Sequence, residues 1–133
     1  RKGITLEDQG DEHGAMACYN EAVRLSPLSF KALYNRGKLR YKQGDYETAL
    51  SDFAKAVKQK PLHATAHDRL GDTFIKLEMP DMAARHWAIA EELREKKQIN
   101  NNYDEQRSEK RIEDYRSNRG GYLGIHACLA IYV

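Results

Sequence analysis

Five histidines, two cysteines and scattered carboxylates are the residues of this 133-residue chain best suited to metal or nucleophile chemistry. His63 and His67 stand four apart, a spacing that brings two imidazoles together on a continuous helix. They fall where a loop passes into a helix, and no third ligand accompanies them, so a metal centre is not expected. His13, His86 and His126 show no metalloprotease spacing. Cys18 and Cys128 are 110 residues apart and make neither a metal-spaced pair nor a disulfide framework. Cys18 is expected to pack near the first hairpin interface rather than to act as a nucleophile. Asp52, Asp68 and Asp72 read as helix-surface carboxylates. Gly120-Gly121 lacks the lysine motif of a phosphate loop, and no dinucleotide fingerprint occurs. The residues therefore predict no enzyme and no cofactor.

Charge narrows the partners. The chain carries 22 Lys and Arg against 20 Asp and Glu, a net charge of +2. Residues 1–63 hold 11 basic against 8 acidic side chains, and residues 64–133 hold 11 against 12. So mild an asymmetry argues against nucleic acid. No run approaches the ~20 apolar residues of a membrane-spanning helix. The start lacks an apolar signal segment. The cytoplasm is the expected compartment, with an organelle reached after removal of a targeting peptide left open, because residue 1 is arginine.

The elements that must carry any site are organised on a 34-residue period, clearest over residues 30–63. Leu33, Gly37, Gly44, Tyr46, Ala49, Phe53, Ala56 and Pro61 mark it. A first helix is predicted near 30–42 and a second near 46–59, with Asp45 as its N-cap and Gly44 in the turn. Tyr34 and Tyr41 are expected in the interhelical core. Shifting back by 34 aligns Gly3, Gly10, Ala15, Tyr19, Ala22 and Pro27, so residues 1–29 form a unit lacking about five leading positions. Its second helix is predicted at 12–25. Shifting forward aligns Gly71, Ala83, Trp87 and Ala90 in a third unit, 64–97. Glu78-Met79-Pro80-Asp81 replaces its glycine turn, and Glu95 stands where proline ended the earlier units, so its second helix can run on. Residues 98–116 are polar and are predicted helical, as a continuation or a separate cap; Asn100-Asn101-Asn102 weakens helix propensity there. Residues 117–133 form a Gly-containing apolar tail.

This pattern resembles the tetratricopeptide repeat family over residues 1–97. The resemblance implies an all-α fold, a right-handed superhelical stack of antiparallel helix hairpins, whose first helices line a concave groove. It implies a non-enzymatic interaction module or adaptor holding a partner peptide or helix. Projected groove positions are Ile4, Asp8, Lys31, Asn35, Lys38, Lys42, Thr65, Arg69, Asp72 and Lys76. Lys31, Asn35, Lys38, Lys42, Arg69, Asp72 and Lys76 are the candidate contacts, a mostly basic strip suited to an acidic protein segment. Some members bind chaperone tails through a carboxylate clamp. Asn35 and Arg69 match two of its five positions, Thr65 and Ile4 depart, and the fifth precedes Arg1. The second reading is a structural subunit of a large multiprotein assembly, its ends and tail covered by neighbours.

Overall fold

The computed structural model describes residues 2–117. Its helices are α1 (Lys2–Asp8), α2 (Glu12–Leu25), α3 (Phe30–Lys42), α4 (Tyr46–Gln59), α5 (Ala64–Lys76) and α6 (Pro80–Ser117). No strand occurs among the described residues. Two compact units divide the chain, one ending at Arg94 and one beginning at Glu95. Within the first unit α1 packs on α2, α2 on α3, α3 on α4 and α4 on α5, so neighbours in sequence are neighbours in space.

Local chemistry sets each boundary. Asp11 caps α2 by accepting from the Gly14 amide at 2.9 Å. Ser29 caps α3 through Oγ and the Ala32 amide at 3.3 Å, and His63 caps α5 through Nδ1 and the Ala66 amide at 3.2 Å. Asp45 is the N-cap residue of α4, but its side chain makes no capping bond. Gly10 and Gly44 both take φ of 81° at the turns between paired helices. In the third unit the same left-handed position is occupied by Glu78, at φ 60°. That backbone is strained by about 1–2 kcal/mol for an L-residue with a Cβ.

The core is built from one contact repeated at each level. A Cβ added to Gly3 would lie 2.6 Å from Tyr19, one on Gly37 would lie 2.9 Å from Phe53, and one on Gly71 would lie 2.6 Å from Trp87. The glycine of each first helix thus makes room for the aromatic ring of each second helix. Around Phe53 gather Ala49, Leu70, Phe74 and Ala83, with Tyr34 and Tyr41 packed against them as expected. Around Tyr19 gather Ala15 and Leu39, flanked by Ile4, Leu6 and Met16.

One expectation fails here. Asp52 is not a surface carboxylate; it is 1% exposed. Arg36 donates to it from Nε at 2.9 Å and from Nη2 at 2.7 Å, and Arg40 donates from Nη1 at 2.8 Å. Arg36 also reaches Asn20 on α2 at 3.3 Å. Burial of the carboxylate is compensated by three charge-assisted bonds. Asp68 is ion-paired with Arg94.

His63 does stand at the loop-to-helix boundary. His67, one turn on, is 5% exposed. Its Nε2 lies 2.7 Å from the Pro61 carbonyl, so that nitrogen carries the proton and donates. Its Nδ1 then accepts from His86 Nδ1 at 3.2 Å, while the His86 ring stacks on Phe74 with centroids 5.5 Å apart. Burial first, then His67 and Arg85, hold the His86 imidazolium below its ordinary pKa.

The polar segment after residue 97 is one helix with what precedes it, because α6 is unbroken from Pro80 to Ser117. The three asparagines each cost only a fraction of a kcal/mol, roughly 0.5 relative to alanine. Strong helix formers surround them, and the Gln98 amide donates to Asn102 Oδ1 at 3.4 Å. Tail residues 118–133, with Arg119, His126 and Cys128, lie outside the described residues.

Candidate partner-binding site

The candidate contacts ride on α3 and α5, the two first helices that touch directly. Lys31, Asn35, Lys38 and Lys42 belong to α3, and Arg69, Asp72 and Lys76 to α5. The 34-residue shift sets Asn35 level with Arg69, Lys38 with Asp72, and Lys42 with Lys76. Ile4 and Asp8 on α1 continue the last two rows.

The cations differ in how far each is committed. Arg36 and Arg40 are spent on Asp52. Lys42 pairs with Glu12 of α2 at 3.2 Å, and that ammonium, with the Gln43 amide, holds the Glu12 carboxyl below the usual carboxylate range. The Lys38 ammonium lies 5.6 Å from the centre of the Tyr34 ring, and that of Lys76 lies 6.0 Å from the centre of Tyr46. Both remain exposed. Asp72 accepts the Trp87 indole N–H at 3.1 Å. Among the described residues the side chains of Lys31, Asn35 and Arg69 make no hydrogen bond or ion pair; Thr65 is exposed.

Lys31 and Asn35 also border an open cleft of about 620 Å³ that reaches across to Lys2 of α1. Ala17, Ala22 and Ala32 give it a smooth floor, and half-buried Cys18 lines it as expected of a residue near the first hairpin interface. The sequence marks Lys31 and Asn35 as candidate contacts but does not reveal the cleft. The signal was the run of small residues on the two helices that form the floor, Ala17 and Ala22 on α2 and Ala32 on α3. Tyr19 closes one side; burial, then the hydrogen bond its hydroxyl donates to Glu7 at 2.8 Å, raises its pKa.

No group of three or more His, Cys, Asp or Glu side chains fit for a metal ion is found among the described residues. No helix among them is long and apolar enough to cross a membrane.

Comparison with known proteins bears on this arrangement. A family model described as tetratricopeptide repeat matches residues 1–64 and again 34–92. A tetratricopeptide repeat protein 36 homolog of Nematostella vectensis is 32% identical over 65 residues, 49% of this chain and 36% of that protein. The TPR repeat-containing thioredoxin TTL4 of Arabidopsis thaliana is 29% identical over 90 residues, 68% of this chain and 13% of that one. The chain thus spans about a third or less of these relatives. Among solved structures, MamA superposes with a TM-score of 0.69 at 22% identity, covering 73% of this chain and 57% of MamA. The first TPR of Spaghetti (RPAP3), bound to the HSP90 peptide SRMEEVD, gives 0.66 at 24% identity, covering 69% of this chain and 73% of that one. At these identities the likeness is one of fold. With stacked antiparallel hairpins, a recurring glycine–aromatic contact and a family model reaching across residues 1–92, this chain belongs to the tetratricopeptide repeat family of protein–protein interaction modules.

Proposed function

We propose that the chain binds an acidic segment of a partner protein along the first helices α3 and α5. Lys31, Asn35, Lys38 and Lys42 would contact it from α3, and Arg69, Asp72 and Lys76 from α5. The supporting observation is the division of labour among the cations. Arg36 and Arg40 neutralise a buried carboxylate, whereas Lys31 and Arg69 have no partner among the described residues and Lys38 and Lys76 keep exposed ammonium groups. Unpaired basic groups on neighbouring helices favour carboxylates, which they meet by charge-assisted bonds. Asn35 supplies an amide that can hold an extended backbone. Asp72 accepts the Trp87 indole N–H and keeps its negative charge, an acidic interruption of the strip. The RPAP3 domain of similar fold carries an acidic peptide. With Thr65 and Ile4 at two of the five clamp positions, a tail of that kind would be held here less firmly.

The test is crosslinking of the chain to its captured partner, followed by charge reversal. Contacts are expected at Asn35, Lys38, Arg69 and Lys76. Combined Lys38→Glu, Lys42→Glu and Lys76→Glu should abolish capture. Unchanged binding by that variant refutes the reading.

A second reading, a structural subunit of a large assembly, draws on the turns between units. Leu25 and Leu28 are each 69% exposed, and Leu62, which is Leu28 shifted by 34 residues, is 81% exposed. Neighbouring subunits would cover them. If Leu28→Ser with Leu62→Ser leaves assembly size unchanged in the native complex, that reading is lost.

A further inference from the structure

The glycine–aromatic contact recurs three times, but its covering does not. Tyr19 is 4% exposed and Phe53 0%, because α3 packs over α2 and α5 over α4. Trp87, set against Gly71 in the same way, is 39% exposed. Its indole is fixed by the bond to Asp72. Ile75 at 41% exposure and exposed Ala84 stand where Tyr41 and Leu50 stand one unit earlier, packed against Phe53's cluster. The face around Trp87 is therefore a seat of known shape. Its preceding counterpart is filled by a helix presenting large apolar side chains four apart, Leu70 and Phe74. Its rim is acidic: Asp72 and Glu91 flank it, while Asp68 is neutralised by Arg94.

The chain itself carries a helix surface of the matching kind. Ile99 and Tyr103, also four apart, are 52% and 68% exposed in a stretch otherwise polar. Helical geometry continues that surface through Arg107 and Lys110, so two apolar side chains are followed by two basic ones on one side of α6. The acidic Asp104 and Glu105 fall off it. A solvated helix has no need of an isoleucine and a tyrosine at helical neighbour spacing.

We propose that a second copy of this chain occupies the Trp87 face, with its Ile99 and Tyr103 set over the indole and its Arg107 and Lys110 meeting the acidic rim. Each copy bears one seat and one matching surface, so two copies satisfy each other reciprocally. The face meets the α3/α5 strip at Asp72, which borders both, but uses none of the basic side chains proposed for the partner segment.

Trp87 is the chain's single tryptophan, so its emission reports on the face without a label. Sedimentation velocity and tryptophan emission of the full chain should change together as concentration rises from micromolar to submillimolar. Association should be accompanied by a blue shift. Tyr103→Asp, at an exposed position, should weaken association by about tenfold or more while leaving the far-ultraviolet circular dichroism unchanged. Glu91→Lys should weaken it too, and Glu91→Lys combined with Arg107→Glu should recover part of the loss. Lys38→Glu should leave it intact, which separates this interface from the peptide strip. A chain that stays monomeric throughout, or association indifferent to Tyr103→Asp and Glu91→Lys, overturns the proposal.

Discussion

Replacing Asp52 by alanine is the sharpest perturbation the structure offers. The carboxylate is 1% exposed and accepts three hydrogen bonds from two guanidinium groups. Each such bond to a charged group is worth about 1.5–3 kcal/mol, but three bonds sharing one acceptor do not add. Breaking a buried ion pair by removing one partner costs about 3–5 kcal/mol, chiefly because the other charge is left unpaired. Here the stranded side chains are 13% and 22% exposed, so each retains a route to water. The expected loss for Asp52→Ala is therefore at the low end, about 3 kcal/mol. Arg40→Ala leaves the two-pronged Arg36 contact in place and should cost about 1–1.5 kcal/mol. Arg36→Ala removes both prongs and the link to Asn20, and should cost about 2–3 kcal/mol. Urea unfolding followed at the helix band, with slopes compared to confirm a single transition, measures all three. The order Asp52→Ala, Arg36→Ala, Arg40→Ala should survive molar salt, because buried pairs are poorly screened. A loss below about 1 kcal/mol for Asp52→Ala, or Arg40→Ala costing more than Arg36→Ala, refutes this account of the network.

Three further outcomes are expected. Glu78→Gly should stabilise the chain by about 1 kcal/mol by relieving the left-handed backbone at φ 60°, read as a rise in urea midpoint. Gly37→Ala should destabilise by about 1–3 kcal/mol, since its methyl would meet a Phe53 ring that is wholly buried, and thermal melting would report it. The His86 pKa is depressed in the folded chain, so stability is full above the unfolded value of about 6.5 and is lost as pH falls below it. The urea midpoint should therefore drop between about pH 7.5 and about pH 5.5, and His86→Gln should flatten that slope.

The helices were legible because their determinants are local. Gly44, Asp45 and Pro61 punctuate the central unit, and periodic alanines and aromatics fill the space between, so the predicted 30–42 and 46–59 coincide with α3 and α4. What escaped the sequence depends on which side chains meet across helices. Asp52 reads as solvated from its charge, although Ala49, Phe53 and Ala56 around it are all buried; only the stacking of α3 on α4 shows that Arg36 and Arg40 converge on it. The same holds for His67, whose partners are a loop carbonyl and a ring 19 residues away. The fate of α6 was undecidable from Asn100-Asn101-Asn102 alone, since weak propensity is readily outweighed by the formers around it. Of the candidate strip, the sequence supplied the positions on α3 and α5. It did not distinguish a lysine leaning on a ring, such as Lys38, from one paired to a carboxylate, such as Lys42.

The glycine–aromatic contact has a consequence for how such a chain can diverge. With under 3 Å between a would-be methyl and the facing ring, the glycine cannot gain bulk while that ring stays in place. Gly37 is therefore constrained by Phe53, as Gly3 is by Tyr19 and Gly71 by Trp87. The ring may be exchanged for another ring, as the three levels already illustrate, while the glycine opposite is held. A gain of bulk at the first position becomes tolerable only after a loss at the second, so the path of neutral change runs through the smaller ring, never through the larger glycine replacement.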